Sequence, residues 1–527
     1  MIETRAMPYR LLYAATYVFL ALPYPLFFAG WLRAPYAALA SLLVIAAAFV
    51  GIRRAFQVAP TLDESAASSG RALWRALWPV LPIVSIAGFG GLGNQDWDWL
   101  RGNAVFLDLV SKPWPVAYGN EREPVLLIYY VAFYLPPAAV GKLLGWGAAN
   151  VAMLLWASFG LCLAASWVCR LVGAGRWWTS AVFLAFSGMD ALGMTLRLLG
   201  ELASGAAHHQ TWSSMEWWSG YGTFCFPAHL ELLVLAPNQA IPAWLLTALV
   251  LDDWRRQRVL GTGVFYLGLC TLWAPYVAIG LLPFVLVAAL PALIRRRGLS
   301  ELWTLGNAAG AMLGLLLVVY FAARYGSYTM PIALPELHEE RLTLTPLRMG
   351  RSFFAIYPMF LVLEFGLLHA LLYFLMRRGV LVLDEALRRL LLASTAVLCF
   401  LPWINLSWNN DIVMRASVPM LMVTALCAIL ALGSMAAAAQ RRERLARAAV
   451  VVVLALGWIN VGNVARRQIG GTLERGAWFA VPEPSQVQDL FELQTGRYDR
   501  IGYDFVRQYL GSVATPFGRW LMKSVEP

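Results

Sequence analysis

Long apolar segments recur along the whole chain, and they limit its possible folds more than any other feature. A helix of about 20 residues spans the hydrocarbon core of a bilayer, so apolar runs of this length predict membrane-crossing helices. Transmembrane barrels alternate apolar and polar residues, and these runs do not. The sequence therefore predicts an all-α, polytopic transmembrane helical bundle of about 12–14 spans. The apolar segments lie near 11–32, 35–52, 72–92, 124–145, 148–169, 177–198, 228–251, 262–294, 302–322, 352–376, 386–405, 411–433 and 446–464.

The formal net charge of +11 is an orientation signal rather than a sign of nucleic-acid binding. The basic residues, almost all of them Arg, form short clusters at the ends of apolar segments, which is the positive-inside pattern. These clusters place the loops 93–123, 199–227 and 324–350 outside, together with the tail 465–527. We therefore expect a multi-pass protein of a bacterial inner (cytoplasmic) membrane whose active site faces outside. Membrane lipids are expected partners, and nucleic acid is not.

The chain divides into a transmembrane bundle, residues 1–464, and a small extracytoplasmic C-terminal region, residues 465–527. The tail is too short for a robust core of its own, so we expect a cap packed on the outer face. Two apolar segments depart from simple crossings. Segment 124–145 begins at a proline and contains a Pro pair, which predicts a short, kinked or re-entrant element. Segment 262–294 is long and contains Pro275, which predicts two short helices.

The polar loop 93–123 carries the strongest functional signal. Asp96 and Asp98 alternate with tryptophans in this loop, and a short helix is predicted to follow. At about 100° per residue, Asp98, Arg101 and Asp108 fall within an arc of roughly 80° on that helix. Trp at a bilayer boundary is normal anchoring, but carboxylates at the same depth are costly unless function uses them. We therefore predict half of an active site here, with Asp98 or Asp96 as the catalytic group and Arg101 and Asp108 as substrate-binding residues.

A second external stretch, 199–242, combines residue types that suit sugar binding. Aromatic rings stack on the apolar C–H faces of a sugar, and polar groups bind its hydroxyls. Interfacial anchoring explains the tryptophans of this stretch about as well. The adjacent His208 and His209 are better interpreted as a surface pair than as metal ligands, because adjacent histidines rarely chelate one ion without further ligands. The predicted substrate-binding residues are His208, His209, Glu216, Trp217, His229, Asn238 and Gln239.

A third candidate stretch lies at the outer start of the segment 411–433. Asn409, Asn410 and Asp411 occupy this helix start, where such side chains cap free N–H groups, and the alternative is that they bind substrate. Arg415 lies in the same helix. It either pairs with Asp411 four residues before it or holds a lipid phosphate together with the helix N-terminus. The predicted lipid-phosphate ligands are Arg415, Arg341 and Arg351.

These features resemble the GT-C class of membrane glycosyltransferases. An apolar helix precedes an outer loop with an acidic pair, Asp96 and Asp98, and an amphipathic helix and many further spans follow. Residues 124–188 are similar as well, with a Pro-led apolar segment, a helix that ends in a basic turn (CRLVGAGRWW) and then AVFLAFSGMD. The resemblance covers about residues 72–300. The chain departs from the class in its additional spans at 11–52 and in lacking a WWDYG-type oligosaccharyltransferase signature.

The resemblance implies transfer of a hexosyl or pentosyl group from a polyprenyl-phosphate carrier to a glycan, lipid or protein acceptor on the outer side of the membrane. It also implies that a loop carboxylate is the general base and that the anomeric centre is inverted. A base, a cation for the phosphate and a membrane groove are the chemical needs of such a reaction. No cofactor is firmly implied, and a divalent metal is compatible with the reaction but not required.

Two other functions are open alternatives. A polysaccharide ligase or polymerase relies on Arg and His in a large external loop, and 324–351 offers several of both. A transporter or lipid flippase predicts charged residues in the middle of spans. Most charges of this chain lie at span ends instead, and Glu364 and Asp190 are the exceptions.

Overall fold

The structure is a computed structural model that describes residues 2–57, 77–118, 124–173, 176–205, 212–220, 223–294, 299–324, 342–406, 410–434, 440–487, 490 and 509–525. Helices make up nearly all of its secondary structure, which confirms the predicted all-α class. The helices are Ile2–Ala21, Pro23–Trp31, Ala34–Phe56, Val80–Ile86, Asp98–Ser111, Leu135–Leu144, Trp146–Leu171, Trp177–Leu184, Asp190–Ser204, His229–Leu235, Pro237–Arg255, Val259–Thr271, Pro275–Ile294, Leu305–Phe321, Thr345–Met349, Arg351–Leu361, Leu367–Arg377, Glu385–Phe400, Asp411–Ala416, Val418–Gly433 and Arg441–Arg475. Short 3-10 or π turns occupy Phe89–Gly91, Trp212–Trp217, Leu299–Leu302, Val362–Gly366, Leu401–Trp403, Pro484–Gln486 and Phe517–Leu521.

Within these ranges, 8 helical segments are long and apolar enough to cross a membrane, as expected of a polytopic membrane protein. Two further apolar helices, Val259–Thr271 and Leu305–Phe321, are shorter. The long segments are fewer than the predicted count of about 12–14, because several apolar stretches divide into shorter helices. The long segments are Tyr9–Trp31, Ala34–Phe56, Trp146–Leu171, Pro275–Ile294, Arg351–Arg377, Glu385–Trp403, Asp411–Gly433 and Arg441–Arg475.

Prolines account for two of the divided stretches. Segment 124–145 forms the strand Val125–Leu127 and then the helix Leu135–Leu144. A helix of 10 residues rises about 15 Å, half the thickness of the hydrocarbon core, so this segment does not cross fully, as predicted. Segment 262–294 is interrupted just before Pro275, which confirms the two predicted helices.

The helix Pro237–Arg255, here the central helix, is enclosed by the rest of the bundle. Every side chain from its first residue to Asp253 is buried. Tyrosines of the first helix hold its C-terminal end, where the Tyr9 hydroxyl donates to Asp252 at 3.0 Å and the Tyr13 hydroxyl donates to Asp253 at 3.1 Å. The N-terminal spans are therefore packed into the core of the molecule, and the opposite end of the central helix reaches the candidate site.

Two small antiparallel sheets join distant parts of the chain. One has 3 strands in the order Ala117–Tyr118, Val125–Leu127 and Leu510–Ser512. The other pairs Thr343–Leu344 with Ile404–Asn405. The first sheet brings a C-terminal strand beside the Pro-led segment that follows the acidic loop.

The C-terminal part of the chain is continuous with the bundle. The helix Arg441–Arg475, here the C-terminal helix, runs past the predicted division at residue 464. Beyond the sheet, the backbone N–H of Lys523 donates to the carbonyl of Trp31 at 3.0 Å. The last described residues are thus hydrogen-bonded to the N-terminal spans.

Candidate active site

A cavity of about 400 Å³ lies where helix ends from distant parts of the chain meet. Charged, amide and aromatic side chains line it, and they include several residues that the sequence singles out. Its lining residues are Asp96, Trp97, Asp98, Arg101, Gly102, Tyr129, Tyr130, Tyr134, Trp217, Glu231, Leu235, Ala236, Asn238, Gln239, Asp411, Met414, Arg415, Arg467 and Tyr509. Among the residues selected from the sequence, the cavity brings together Asp96, Asp98, Arg101, Trp217, Asn238, Gln239, Asp411 and Arg415.

The helix Asp98–Ser111, here the loop helix, begins at the cavity because its first turn is anchored in the protein. The indole N–H of the buried Trp99 donates to the carbonyl of Val234 at 2.9 Å. Trp97 points the other way, is 52% exposed and lines the cavity. The guanidinium of Arg101 lies 5.0 Å from the centre of the Trp97 ring, within cation–π range. One tryptophan thus anchors the loop helix while the other forms part of the cavity wall.

Asp98 is the first residue of the loop helix and presents its carboxylate to the cavity. Its side chain is 31% exposed, and Arg101 Nη2 lies 3.4 Å from its Oδ1. Burial of Asp98 against the cavity wall raises its pKa above the ordinary value, while Arg101 and Arg415 act in the opposite direction. Asp411 and Asp96 add to the rise through charge repulsion. A carboxylate with a raised pKa and one long ion pair is well suited to accept a proton.

Asp96 has a different environment two residues earlier. Its Oδ2 lies 3.4 Å from Arg467 Nε and accepts a hydrogen bond from Gln468 Nε2 at 3.2 Å. Its Oδ1 accepts the backbone N–H of Trp97 at 2.8 Å. Arg467 also contacts both carboxylate oxygens of Glu231 at 2.7 Å through Nη2. Both oxygens of Asp96 are therefore engaged in holding the turn against the C-terminal helix.

Arg415 supplies a cation to the opposite wall of the cavity. Its Nη2 lies 3.0 Å from Asp411 Oδ1, which confirms the ion pair predicted from their spacing. Its Nη1 donates to the hydroxyl of Tyr130 at 3.0 Å, and its guanidinium lies 5.8 Å from the centre of the Tyr276 ring. While it is paired with Asp411, the planar guanidinium of Arg415 still lines the cavity, and its geometry is suited to binding phosphate oxygens.

The N-terminus of the central helix brings two amides to the cavity. Asn238 and Gln239 are the second and third residues of this helix, and both are almost fully buried. Gln239 Nε2 donates to the Tyr130 hydroxyl at 3.4 Å. Its Oε1 has no hydrogen-bond partner among the described residues. The two amides thus give this wall of the cavity polar groups.

Several residues that line the cavity are not among those predicted from the sequence. The rings of Tyr129 and Tyr130 lie 3.8 Å apart, and Tyr129 stacks on Tyr509 at 4.6 Å. The adjacent tyrosines at 129 and 130, in a Pro-led apolar segment, were a detectable signal because their hydroxyls need partners there. Arg467 follows the predicted last span as part of a basic pair. Tyr509 carries no such signal, because only the sheet brings it to the cavity.

Asp108, predicted to bind substrate, lies on the expected face of the loop helix but outside the cavity lining, so the structure does not bring it to the other predicted site residues. It is about 15 Å further along the helix axis than Asp98. Its carboxylate is fully buried and accepts hydrogen bonds from the hydroxyl of Tyr118 at 2.7 Å and the backbone N–H of Leu490 at 3.0 Å. Lys112 Nζ lies 3.3 Å from its Oδ1. The spacing of the residues predicted the face of the helix on which Asp108 lies, but not its distance from the cavity along the helix axis.

His229 and Asn410 also lie away from the cavity lining. His229 is fully buried, and its Nδ1 lies 2.7 Å from the carbonyl of Phe183 in an aromatic environment. Asn410 Nδ2 donates to the carbonyl of Ile404 at 3.0 Å, and its Oδ1 accepts the N–H of Leu406 at 3.2 Å. Both side chains form hydrogen bonds within the protein, and neither is part of the cavity lining.

Glu216 and Arg351 complete the selected residues that the cavity does not include. Glu216 is buried, and its Oε1 accepts hydrogen bonds from the N–H of Ala228 at 2.9 Å and from Asn460 Nδ2 at 2.8 Å. Arg351 begins the helix Arg351–Leu361 and is exposed. Four selected residues lie outside the described ranges: His208, His209, Asn409 and Arg341.

Within the described ranges, no group of three or more His, Cys, Asp or Glu side chains is placed to hold a metal ion. Comparisons with protein-family models, curated proteins and solved structures find no match to this chain. The cavity brings together a carboxylate suited to accept a proton, guanidinium groups, and tyrosine and amide groups around them.

Proposed function

We propose that the chain is a membrane glycosyltransferase that moves a sugar from a polyprenyl-phosphate carrier to an acceptor, with inversion of the anomeric centre. The observation that supports this best is the shared cavity in which Asp98 lies near the guanidinium groups of Arg101 and Arg415. Transfer of a sugar from a lipid phosphate needs a base for the acceptor hydroxyl and a cation for the departing phosphate. The resemblance to the GT-C class supports the same reaction.

In this proposal Asp98 takes the proton of the acceptor hydroxyl while that oxygen attacks the anomeric carbon. The bond from this carbon to the phosphate oxygen breaks, and Arg415 stabilises the negative charge of the departing polyprenyl phosphate. Asp96 is a positioning residue, because its contacts with Arg467 and Gln468 hold the turn that carries Asp98.

The remaining lining residues suit the sugar itself. The rings of Tyr129, Tyr130 and Trp217 offer faces for stacking against sugar C–H groups. Asn238 and Gln239 offer amide donors and acceptors to hydroxyls. We further propose a bacterial inner membrane, with the cavity on its outer side.

The proposal is tested in lipid vesicles that contain the purified protein, a carrier loaded with one radiolabelled monosaccharide, and a membrane extract as the source of acceptor. The Asp98→Asn variant is expected to lose about 10²–10⁴-fold in transfer rate, because the base is removed, while binding of the carrier remains. Glu385→Gln is the matched control. The Glu385 carboxylate is exposed and pairs with Arg388 and Arg389 of its own helix, which is not the helix that carries Asp98.

The outcomes separate the possible assignments. Loss of transfer in Asp96→Asn with full activity in Asp98→Asn moves the base by two residues and leaves the mechanism intact. Full activity in both variants shows that the mechanism is wrong. Activity with a preassembled glycan on the carrier, and none with a monosaccharide, favours the ligase or polymerase alternative. The loop on which that alternative depends lies mostly outside the described ranges, at 325–341.

One observation favours a second candidate, a transporter or lipid flippase. The two charged residues that the sequence places in the middle of apolar segments, Asp190 and Glu364, are both buried, and a backbone hydrogen bond of 3.1 Å joins the residues just before them. Paired carboxylates inside a membrane are typical of ion-coupled carriers. Carrier-lipid translocation in vesicles without any acceptor, combined with absence of sugar transfer when acceptor is supplied, would favour this candidate over the glycosyltransferase.

A further inference from the structure

Three buried carboxyl groups outside the cavity lining converge inside the bundle. Asp190, Glu216 and Glu364, here the carboxyl cluster, come from three separate elements and are at most 6% exposed. Asn460 on the C-terminal helix bridges two of them, because its Nδ2 lies 3.0 Å from Asp190 Oδ2 and 2.8 Å from Glu216 Oε1. The arrangement is therefore part of the packed interior and not a solvated surface patch.

Glu364 places the carboxyl cluster at membrane depth. It is the middle residue of the span Arg351–Arg377, about 20 Å of helix from either end. It lies in the π turn Val362–Gly366, and such turns often occur at functional sites. The backbone makes room for it, because a Cβ on Gly188 would lie 2.2 Å from Glu364 Oε2. The fold therefore accommodates a carboxyl group where one is energetically expensive.

The hydrogen bonds of the carboxyl cluster leave acceptors without donors. Asp190 Oδ2 accepts the hydroxyl of Ser187 at 2.8 Å, and Glu364 Oε1 accepts the indole N–H of Trp218 at 2.7 Å. Asp190 Oδ1 and Glu364 Oε2 are buried and have no hydrogen-bond partner among the described residues. The two carboxyl groups are neighbours, because the N–H of Met189, next to Asp190, donates to the carbonyl of Leu363, next to Glu364, at 3.1 Å. Two groups that only accept need a proton between them.

The charged groups around the carboxyl cluster do not neutralise it. Among the described residues, no Arg or Lys forms an ion pair with any of its three members. The thiol of Cys225 lies 3.7 Å from Glu216 Oε2, and Glu231 adds further negative charge. Arg467, which interacts electrostatically with Glu216, is bound to Glu231, and Arg197 pairs with Glu201. Three ionised carboxylates without a compensating cation would be very costly at this depth.

We infer that the carboxyl cluster is a proton-binding site, in which Asp190 and Glu364 share a proton at neutral pH. A metal ion does not offer the same compensation, because no group of three or more acidic, Cys or His side chains in the described ranges is placed to hold one. Protons enter from water and return to it, so the site needs no other reactant. Glu216 precedes the cavity residue Trp217 in the chain, which places the carboxyl cluster behind one wall of the cavity. The inference does not depend on the proposed sugar transfer.

The test is infrared difference spectroscopy of the purified protein in lipid, titrated between acidic and alkaline pH. The wild-type protein is expected to show the carbonyl band of a buried protonated carboxyl group at neutral pH, shifted in heavy water and lost at alkaline pH. Glu364→Gln and Asp190→Asn are each expected to remove or shift this band. Glu385→Gln, which changes an exposed carboxylate, is expected to leave it in place.

The wild-type measurement decides the matter even where a variant fails to fold. Absence of a protonated-carboxyl band in the wild-type protein at neutral pH overturns the inference. A band that survives both Asp190→Asn and Glu364→Gln unchanged in folded protein overturns it as well, because the proton then lies elsewhere. Loss of the band on adding sodium at constant pH would identify a sodium site and would also overturn it. Sugar transfer is not part of the readout, so failure here leaves the proposed function untouched.

Discussion

Two carboxylates on one turn differ in what surrounds them, and this difference separates their proposed roles. Asp96 is engaged by Arg467, Gln468 and the backbone of Trp97, whereas Asp98 has Arg101 at 3.4 Å and otherwise faces the cavity. Removing Asp96 is expected to loosen the turn, because Arg467 and Gln468 each lose a contact with it. Removing Asp98, which faces the cavity, is expected to lower the rate of the reaction rather than to disturb the structure.

The pH dependence of transfer gives a prediction at the residue scale. A general base is active when deprotonated, so kcat/KM falls as the pH drops through its pKa. Burial raises the pKa of Asp98, and Arg101 lowers it. Arg101→Gln removes the lowering influence, so the acidic limb of the kcat/KM profile is expected to move to higher pH. Arg101→Lys keeps the charge and is expected to leave the limb near its wild-type position. A limb that stays in place in Arg101→Gln would argue against Asp98 as the base.

Residue types in a short window predicted part of the candidate site. Asp98 and Arg101 stood out because charged side chains beside tryptophans at a membrane boundary are expensive. Residue types that suit sugar binding selected His229, which the structure buries among aromatic rings with one ring nitrogen bound to a carbonyl. A window of sequence shows that a polar side chain must be satisfied, but not whether the protein or a ligand satisfies it.

At the scale of elements, a tryptophan anchors the first turn of the loop helix. The Trp99 indole reaches the carbonyl of Val234, which lies just before the central helix, and so ties the start of the loop helix to the opposite cavity wall. A displacement of about 1 Å in a catalytic group can cost on the order of 100-fold in rate. The anchor therefore contributes to the position of Asp98 as well as to stability.

The Trp99→Phe variant tests this anchor. It leaves the buried carbonyl of Val234 without its donor, which is expected to cost about 1–3 kcal/mol. Amide hydrogens of the loop helix are expected to exchange faster with deuterium, by about tenfold for each 1.4 kcal/mol. Trp97→Phe is the matched control, because Trp97 is 52% exposed and its ring anchors nothing in the core. Equal exchange in both variants would show that the anchor does not hold the helix.

Helix breaks were predictable where a proline causes them and not elsewhere. The break in 262–294 comes just before a proline and was expected. Segment 177–198 breaks after Leu184 without any proline, and the helix resumes at Asp190. There the N–H of Met189 donates to the carbonyl of Leu363 at 3.1 Å. Bonds to a distant span thus satisfy the broken backbone, and no local pattern reveals them.

At the scale of the whole molecule, the sequence predicted that the external loops share one face but not which side chains meet there. Asp98, Asn238, Arg415 and Tyr509 reach one cavity from four distant regions of the chain. The positive-inside pattern sorts segment ends between two sides of a membrane, which limits the candidates. Which side chains meet on one side of the membrane depends on tertiary packing, including that of the strand Leu510–Ser512. A short stretch of sequence does not contain this information.

The two ends of the whole bundle are expected to lie on opposite sides of the membrane, with the cavity outside. The carbonyl of Trp478 accepts the N–H of Gly93 at 2.7 Å, so Trp478 lies on the cavity side. Trp303 adjoins the 3-10 turn Leu299–Leu302, near the opposite end of the central helix. Both are exposed, by 47% and 90%. In whole cells, a membrane-impermeant maleimide is expected to label Trp478→Cys directly and Trp303→Cys only after permeabilisation, because the Arg-rich ends face the cytoplasm. Labelling of both without permeabilisation would contradict the two-sided arrangement, and labelling of Trp303→Cys alone would place the cavity on the cytoplasmic side.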